Sequence, residues 1–400
     1  MQLEDKNNFS LKGKTILILS PQVWSSFKVS KHHYAIELAK KGNIVYFVNP
    51  PHRKIDFRIN IHQVDEIDNI KVIEYSMLLP YLFRFHLLPL FKINILLQIK
   101  RIVNRLPKID VVWDFDNSNL YHNLDFFGAP TKIFHPVDKG IKSGKNKSAD
   151  IIFSASSKIL NLHSELDVPK FFINHGLSHD FKNLAEELIK KPLEEAEENG
   201  RAKVRIGYVG NLSHPAIDKK TLEVIISRSK DCEFHFFGPY SSQDKDLNSE
   251  TIKFISFLKA APNVILYGIT TSTKIIEQSR HIDIYLACYK KTQSYDSDNS
   301  HKILEYLATG KVVVSNFLSM YKNCPHLLMP DNYSNKNLPE IFRYAVENIA
   351  HYNDKNKRKE RIGFALKHTY SKQIDRIECA MRNMELSEDR IVPDEVLMKK

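Results

Sequence analysis

Short apolar runs, each too brief for a helix, alternate along the chain with stretches whose apolar residues recur every three or four positions. The runs are apolar throughout and rich in Val, Ile and Phe, which indicates strands buried on both faces of a parallel sheet. In the first half the predicted strands are Thr15–Leu19, Val45–Val48, Lys71–Glu74, Val111–Trp113, Lys132–Phe134, Ile151–Phe153 and Phe171–Ile173. Between the first two, Lys31–Lys41 is predicted to be a helix, because Ala35, Leu38 and Ala39 share one face and Gly42 follows.

The alternation is interrupted and then resumes. The stretch from Lys182 to Lys203 is dense in Glu and Lys and contains Pro192 and Gly200, which predicts an exposed helix and linker. Beyond it the predicted strands are Arg205–Val209, Glu233–Phe237, Asn263–Tyr267, Asp283–Ala287 and Lys311–Ser315. The pattern predicts an α/β protein with two Rossmann-like units in series.

Glycines closely follow three strands of the second series, at Gly210, Gly238 and Gly268. Open α/β sheets bind ligands beyond the carboxyl ends of their strands, and glycine lets the backbone approach a ligand there. We therefore expect Gly210 and Gly238 to lie at a ligand site.

The composition fits two ordinary domains. The chain has 400 residues, of which 42% are hydrophobic and 26% are charged. Its four cysteines are far apart and form no C-x-x-C pair, so we expect no zinc site and a reducing cytoplasmic location. The first residues are polar, and no apolar run reaches the roughly 18–20 residues that span a bilayer.

The formal net charge of +11 calls for an anionic partner. No nucleic-acid-binding motif is present, so we expect none of that class. Tyr81 to Leu106 mixes Leu, Ile and Phe with cations, which is typical of a helix on an anionic membrane surface. A core helix or helix pair with a solvated basic face fits the same segment, and both interpretations stay open.

The stretch Asn299–Ser315 carries the clearest candidate chemistry. Asn299 and Ser300 suit the N-cap of a helix that ends near Gly310, and a strand follows. Free N–H groups at such a helix start form a seat for a diphosphate, where Lys302 adds positive charge. The carboxylate of Glu305, one turn further on, is suited to accept hydrogen bonds from ribose hydroxyls.

The run K-I-L-E-Y-L-A-T-G-K-V-V-V-S within this stretch resembles the nucleotide-binding segment of retaining GT-B glycosyltransferases of glycosyltransferase family 4 and its relatives. The resemblance implies that Glu305 holds the donor ribose. Further segments resemble other parts of that family: 206–212 its first donor-domain strand and loop, 30–42 its first helix, 149–156 a late strand of the acceptor domain, and 368–371 the start of a terminal helix.

The family's fold is two Rossmann-like domains facing a cleft. The resemblance implies an acceptor domain at 1–185, a charged linker at 186–203, a donor domain at 204–366, a helix at 367–386 that returns to the first domain, and a loose tail at 387–400. It also implies a nucleotide-sugar donor and transfer without a metal or other cofactor.

Some positions depart from the family pattern. Ser297 stands eight positions before Glu305, where the family has a second Glu. Asn211 stands where Arg is frequent, so Lys219 and Lys220 are the nearest cations for the diphosphate. Residues 21–26 replace the glycine-rich loop that follows the first strand.

The first half offers catalytic candidates. His135 and Asp138 follow a predicted strand, and related enzymes present an acid or histidine from this domain to the reacting sugar; a turn stabilised by Asp is the alternative. Asp114 and Asp116 spell D-x-D, which binds a metal in single-domain glycosyltransferases; acceptor binding or a plain loop are the favoured interpretations here. His175 follows another strand.

The expected activity is transfer of a sugar, with retention, to a glycan or lipid-linked glycan in surface polysaccharide assembly. The enzyme would be cytoplasmic and peripheral on the inner membrane face. A UDP-sugar 2-epimerase-like enzyme and a degenerate nucleotide-binding protein without turnover are the alternatives.

Overall fold

The computed structural model describes residues 9–25, 28–52, 54–65, 67–118, 120–137, 148–190, 203–240, 248–290 and 301–383. The chain divides into two compact units. The first comprises Met1–His175 and Tyr370–Lys400, and the second comprises Gly176–Thr369. Each unit has the parallel α/β architecture that the sequence predicts.

The first unit is built on one sheet. Its strands are β1 (Thr15–Leu19), β2 (Ile44–Val48), β3 (Ile59–Gln63), β4 (Ile70–Tyr75), β5 (Val111–Asp114), β6 (Thr131–Phe134), β7 (Ile151–Ser154) and β8 (Lys170–Phe172). Their order is β3-β4-β2-β1-β5-β6-β7-β8, and every neighbouring pair is parallel except β3 with β4. The seven predicted strands are confirmed, and β3 is an antiparallel edge strand that the sequence analysis missed.

Helices cover both faces of this sheet. They are α1 (Ser30–Lys40), α2 (Phe83–His86), α3 (Leu88–Val103), α4 (Ser157–Asn161) and α13 (Tyr370–Asn383). Tyr34 of α1 and Tyr370 of α13 pack on one face with Trp113, while Phe91 and Ile95 of α3 pack on the opposite face. The segment from Tyr81 to Leu106 is therefore a helix pair whose inner side belongs to the core.

The second unit has a smaller sheet. Its strands are β9 (Val204–Val209), β10 (Cys232–Phe237), β11 (Val264–Gly268), β12 (Ile284–Ala287) and β13 (Val312–Ser315), in the order β11-β10-β9-β12-β13. All pairings are parallel, and the five predicted strands are confirmed. Its helices are α5 (His179–Lys190), α6 (Lys219–Arg228), α7 (Ser249–Ala260), α8 (Ser272–Ser279), α9 (Lys302–Ala308), α10 (Leu338–Glu347), α11 (Ile349–Tyr352) and α12 (Lys355–Leu366).

The second unit begins earlier in the chain than the predicted domain boundary at 185. Helix α5 contacts α8, α9 and α12, so it belongs to the second unit. The two ends of this unit are joined, because the N–H of Leu177 donates to the carbonyl of His368 at 2.7 Å. In the chain, the second unit is thus inserted between strand β8 and helix α13 of the first unit.

Within the described residues, no helix combines the length and the hydrophobicity needed to cross a bilayer.

Candidate nucleotide site

At the carboxyl edge of the second sheet the pairing of β9 with β12 ends early, and we call the place between their two ends the crevice. These strands pair only at Ile206 with Ile284 and at Gly207 with Tyr285, and they separate beyond that point. The chain order reverses here, because β10 lies on one side of β9 and β12 on the other. Such a switch point is where open α/β sheets bind ligands.

Three glycines line the edge beside this crevice. The N–H of Gly210 donates to the carbonyl of Phe237 at 2.9 Å, and the N–H of Gly238 donates to the carbonyl of Gly268 at 2.8 Å. Gly238 has a φ of +142°, and a Cβ there would lie 1.9 Å from the carbonyl oxygen of Gly210. The predicted pair Gly210 and Gly238 is therefore in direct backbone contact at this edge.

Helix α9 is fixed to the crevice by Tyr306. Its hydroxyl accepts a hydrogen bond from the N–H of Val209 at 2.9 Å and donates to the carbonyl of Val209 at 3.3 Å. Its ring stacks on Tyr285 with centroids 4.3 Å apart. One side chain thus replaces the strand pairing that β9 and β12 lose. Sequence reasoning assigned no role to Tyr306.

Lys302 and Glu305 form an ion pair on the same helix. The Lys302 Nζ lies 2.8 Å from Glu305 Oε2, and Glu305 is 8% exposed. The helix begins at Lys302, after the predicted Asn299 and Ser300, which both lie outside the described residues. Because Glu305 precedes Tyr306, its backbone position is tied to the end of β9. The Glu305 carboxylate already pairs with Lys302, so a ribose hydroxyl would bind it alongside that lysine.

Lys219 is almost completely enclosed at the start of α6. It is 1% exposed, and its Nζ donates to the carbonyl of His214 at 3.3 Å. Burial lowers the pKa of Lys219, while the charges of Glu250 and Asp218 act in the opposite direction. An ammonium group has three N–H donors, so a bound phosphate group would both pair with it and favour its charged form.

Two further predicted donor contacts, Asn211 and Lys220, lie in or next to the loop between β9 and α6, and both face outwards. Asn211 is exposed, and its Oδ1 accepts a hydrogen bond from the N–H of Ser213 at 2.9 Å. Lys220 is exposed on α6 beside the enclosed Lys219. Of the two lysines, the structure therefore encloses Lys219 within the loop and leaves Lys220 at the surface.

A polar network that the sequence analysis missed supports this loop. Asp218 caps α6, and its Oδ2 accepts a hydrogen bond from Asn335 Nδ2 at 2.9 Å. Asn335 Nδ2 also donates to the carbonyl of Tyr289 at 3.0 Å, and the N–H of Tyr289 donates to Asn316 Oδ1 at 3.0 Å. The helix-cap pattern of Asp218 is a local sequence signal, whereas its pairing with Asn335 depends on the fold.

In the first unit, His135 lies inside an aromatic cluster. It is 1% exposed and stacks on Phe115, with centroids 4.9 Å apart. Burial, together with the nearby His175, lowers the pKa of His135 to about 3, so the ring is neutral at physiological pH. Asp138, the other predicted catalytic residue, lies outside the described residues.

The two carboxylates of the D-x-D sequence, Asp114 and Asp116, accept hydrogen bonds from nearby backbone N–H groups. Asp114 Oδ1 accepts from the N–H of Asp116 at 2.8 Å, and the Asp116 carboxylate accepts from the N–H groups of Ser118 at 3.0 Å and Leu120 at 2.9 Å. This geometry fits the loop interpretation. Across the part of the chain that the structure describes, no cluster of three or more His, Cys, Asp and Glu side chains is arranged to hold a metal ion.

The first unit also has a surface pocket of about 530 Å³ near the carboxyl ends of β2 and β4. It is lined by His52, Lys54, Ile55, Asp56, Arg58, Asn60, Glu74, Tyr75 and Ser76. Arg58 Nη2 lies 2.9 Å from Asp56 Oδ2, so the lining contains charged groups of both signs.

Compared by sequence, the chain matches no protein family profile and no curated protein. Solved structures do match. The α,α-trehalose-phosphate synthase (UDP-forming) of Burkholderia vietnamiensis has a TM-score of 0.66 at 11% identity, over 94% of this chain and 98% of that one. Sucrose-phosphate synthase of Thermosynechococcus elongatus has a TM-score of 0.61 at 12% identity, over 93% and 99%. Anabaena Alr3699/HepE, in complex with UDP and glucose, has a TM-score of 0.60 at 12% identity, over 92% and 98%. The likeness shows that this chain has the GT-B fold.

Proposed function

We propose that this chain is a glycosyltransferase that moves a sugar from a nucleotide-sugar donor to an acceptor. The observation that carries the proposal is the joining of Glu305 and Tyr306 to the glycine-lined end of β9, at the switch point of the second sheet. The fold supports it, because structures of the same fold include a UDP-forming synthase and a complex with UDP and glucose.

The proposed donor site divides the nucleotide among these groups. The Glu305 carboxylate accepts hydrogen bonds from the ribose hydroxyls, with Lys302 holding it in place. The diphosphate lies along the edge formed by Gly210 and Gly238, two residues that carry no side chain of their own. Lys219 offsets the negative charge that grows on the diphosphate as the bond to the sugar breaks.

In the proposed reaction the anomeric carbon loses its bond to the diphosphate oxygen and gains one to an acceptor hydroxyl oxygen. The acceptor proton leaves, and a nucleoside diphosphate is released. We propose retention of the anomeric configuration, which the resemblance to the retaining family implies. We also propose transfer without a metal, with Lys219 and Lys302 as the cations that face the diphosphate. Asp138 remains the proposed catalytic residue of the first unit.

For the acceptor we propose a glycan or lipid-linked glycan in surface polysaccharide assembly, bound by the first unit. Its pocket beside β4 has the mixed polar lining that suits a hydroxyl-rich ligand. The cysteines are free, with Cys232 and Cys288 buried, which supports a cytoplasmic location.

The test is calorimetric titration of UDP, GDP and ADP into the wild type and into Glu305→Ala. We expect one nucleotide to bind selectively and Glu305→Ala to weaken it by about tenfold or more, the value of a charge-assisted hydrogen bond. Glu347→Ala is the matched control, because Glu347 also pairs with a cation on its own helix but is exposed. Equal weakening by both variants, or no binding at all, would contradict the donor site.

Incubation of the cognate nucleotide sugar with and without acceptor glycans then separates the activities. Transfer to an acceptor supports the proposal. A changed sugar without acceptor indicates the epimerase alternative, and binding without any turnover indicates the degenerate protein.

A further inference from the structure

The outer side of α2 and α3 is an exposed apolar surface. Phe85 is 70% exposed, although it belongs to a helix pair whose other side is in the core. The exposed apolar residues of this surface are Leu82, Phe85, Leu87, Leu88, Leu90, Ile93 and Leu97. On α3, Leu90, Ile93 and Leu97 recur at spacings of three and four, so they form one stripe opposite the buried Phe91 and Ile95. Exposed apolar side chains gathered on one side of a helix pair mark an interaction site.

The same segment is strongly basic. From Tyr75 to Ile109 the sequence contains no Asp or Glu, whereas it contains Arg84, Lys92, Lys100, Arg101, Arg105 and Lys108. Lys92, Lys100, Arg105 and Lys108 are exposed, and the described residues provide none of them with an ionic partner. We call the exposed apolar residues together with these four cations the apolar–basic surface.

The inner side of α3 holds this surface rigidly. The N–H of Leu78 donates to Asn94 Oδ1 at 3.1 Å, and Gln98 Nε2 donates to the carbonyl of Ser76. Arg101 donates to the carbonyl of Phe57, which is 68% exposed. The helix therefore does not need to refold in order to present its apolar stripe.

We propose that the apolar–basic surface binds an anionic lipid bilayer, with the stripe entering the interface and the lysines and arginines contacting lipid phosphates. Apolar side chains flanked by cations are the composition of interfacial helices. A second copy of this chain fits less well, since a symmetric contact would bring the same unpaired cations together. A nucleic acid offers phosphates but no apolar face for Phe85, Ile93 and Leu97.

The surface leads to the pocket of the first unit. Ser76 lines the pocket and accepts from Gln98, and Phe57 lies between the pocket residues Asp56 and Arg58. A membrane-bound chain would thus hold this pocket beside the lipid phosphates, where a lipid-linked acceptor resides; this last step rests on the proposed function.

The experiment is co-sedimentation of the full chain with vesicles of phosphatidylcholine alone and of phosphatidylcholine with phosphatidylglycerol, at low and high salt, without nucleotide or acceptor. We expect binding only to the anionic vesicles and weakening by salt. The triple variant Lys92→Gln, Lys100→Gln, Arg105→Gln should bind about a hundredfold more weakly, roughly fivefold for each cation. The triple variant Phe85→Ser, Ile93→Ser, Leu97→Ser should lose binding to a comparable degree.

Matched controls alter exposed residues of the same kinds in the second unit. They are Lys253→Gln, Lys355→Gln, Lys359→Gln for charge and Val224→Ser, Ile252→Ser, Tyr344→Ser for apolar area. The controls should bind like the wild type, and circular dichroism should show all variants folded. Absence of vesicle binding, equal loss in the controls, or a dimer that only the Phe85 variant disrupts would overturn the proposal. Because no substrate is present, these results are independent of the nucleotide titrations.

Discussion

Gly238 is the residue with the least space around it at the candidate site. Its φ of +142° disfavours any side chain, and an added Cβ would overlap the carbonyl oxygen of Gly210. Gly268, with a φ of +72°, has the same backbone restriction, but a Cβ there would meet only Tyr240 at 3.7 Å. Substituting Gly238 and Gly268 in turn therefore distinguishes the cost of backbone strain, which both share, from the cost of steric overlap, which only Gly238 has.

We expect Gly268→Ala to lower the free energy of unfolding by about 1–2 kcal/mol, the cost of the left-handed conformation. Gly238→Ala should lower it by clearly more, because the backbone of Gly210 must also move. Chemical denaturation of both variants measures the difference. Gly363→Ala is the control, since it has open space within a helix and should be neutral or stabilising. Equal losses at Gly238 and Gly268 would show that the close approach is not real.

His135 predicts a pH dependence of stability. Its pKa is lowered from 6.5 to about 3 in the folded chain, so below pH 6.5 the unfolded chain binds the proton more readily. The contribution of His135 to the free energy of unfolding is therefore fully present above pH 6.5, and it is lost progressively as the pH falls towards 3. Between about pH 7.5 and pH 5 the wild type should lose roughly 2 kcal/mol more than His135→Phe, which keeps the aromatic packing.

Urea unfolding at several pH values checks this. His32, whose pKa burial lowers to about 4, adds the same trend to both proteins and cancels in the comparison. Parallel pH profiles would mean that His135 is not enclosed. Turnover retained by His135→Phe would assign the ring a structural role in place of the predicted catalytic one.

At the scale of elements, α9 depends on one hydroxyl group for its attachment to β9. In Tyr306→Phe the N–H of Val209 loses its hydrogen bond within the core, which costs about 1–3 kcal/mol. Tyr34→Phe is the control, because the Tyr34 hydroxyl is buried and no hydrogen-bond partner for it occurs among the described residues. Thermal unfolding should therefore distinguish the two variants, and nucleotide affinity should fall only in Tyr306→Phe. A Tyr306→Phe protein as stable as the control would contradict the attachment.

The elements that could be predicted from sequence are those built on a run of apolar residues. In β13, for example, the buried run of valines at 312–314 identifies the strand. Strand β3, INIHQ, is at the sheet edge and largely exposed, so tertiary pairing with β4 decides its structure and its own residues do not.

The candidate site shows the same division. The glycines could be found because they closely follow predicted strands, and Glu305 because its segment resembles the nucleotide-binding run of a known family. The ties from Tyr306 to Val209 and from Asn335 to Asp218 join residues about a hundred positions apart. No local pattern encodes such pairs, and they require the three-dimensional fold.

At the scale of the whole molecule, the second unit is a self-contained insertion. Its ends meet where Leu177 bonds to His368, and Leu177 pairs with Thr369 in an isolated parallel bridge. We expect a fragment of residues 176–369 to unfold cooperatively and to bind the same nucleotide as the full chain. In a second fragment, residues 1–369, the first unit should be less stable, since Tyr370, Ile374 and Ile377 of α13 belong to its core. Circular dichroism of both fragments checks this, and an unfolded 176–369 fragment would contradict it.

The place of α13 in the first core also has a consequence for synthesis. On the ribosome, residues 9–175 emerge first, yet the helix that completes their core emerges only after the whole second unit. Domains usually fold in the order in which they are translated. Here the unit translated second is the first to have all its contacts, and the nascent first unit exposes the face that receives α13 until that helix has been synthesised. A chaperone that captures apolar surface would therefore meet this chain at its first unit, before α13 has been synthesised.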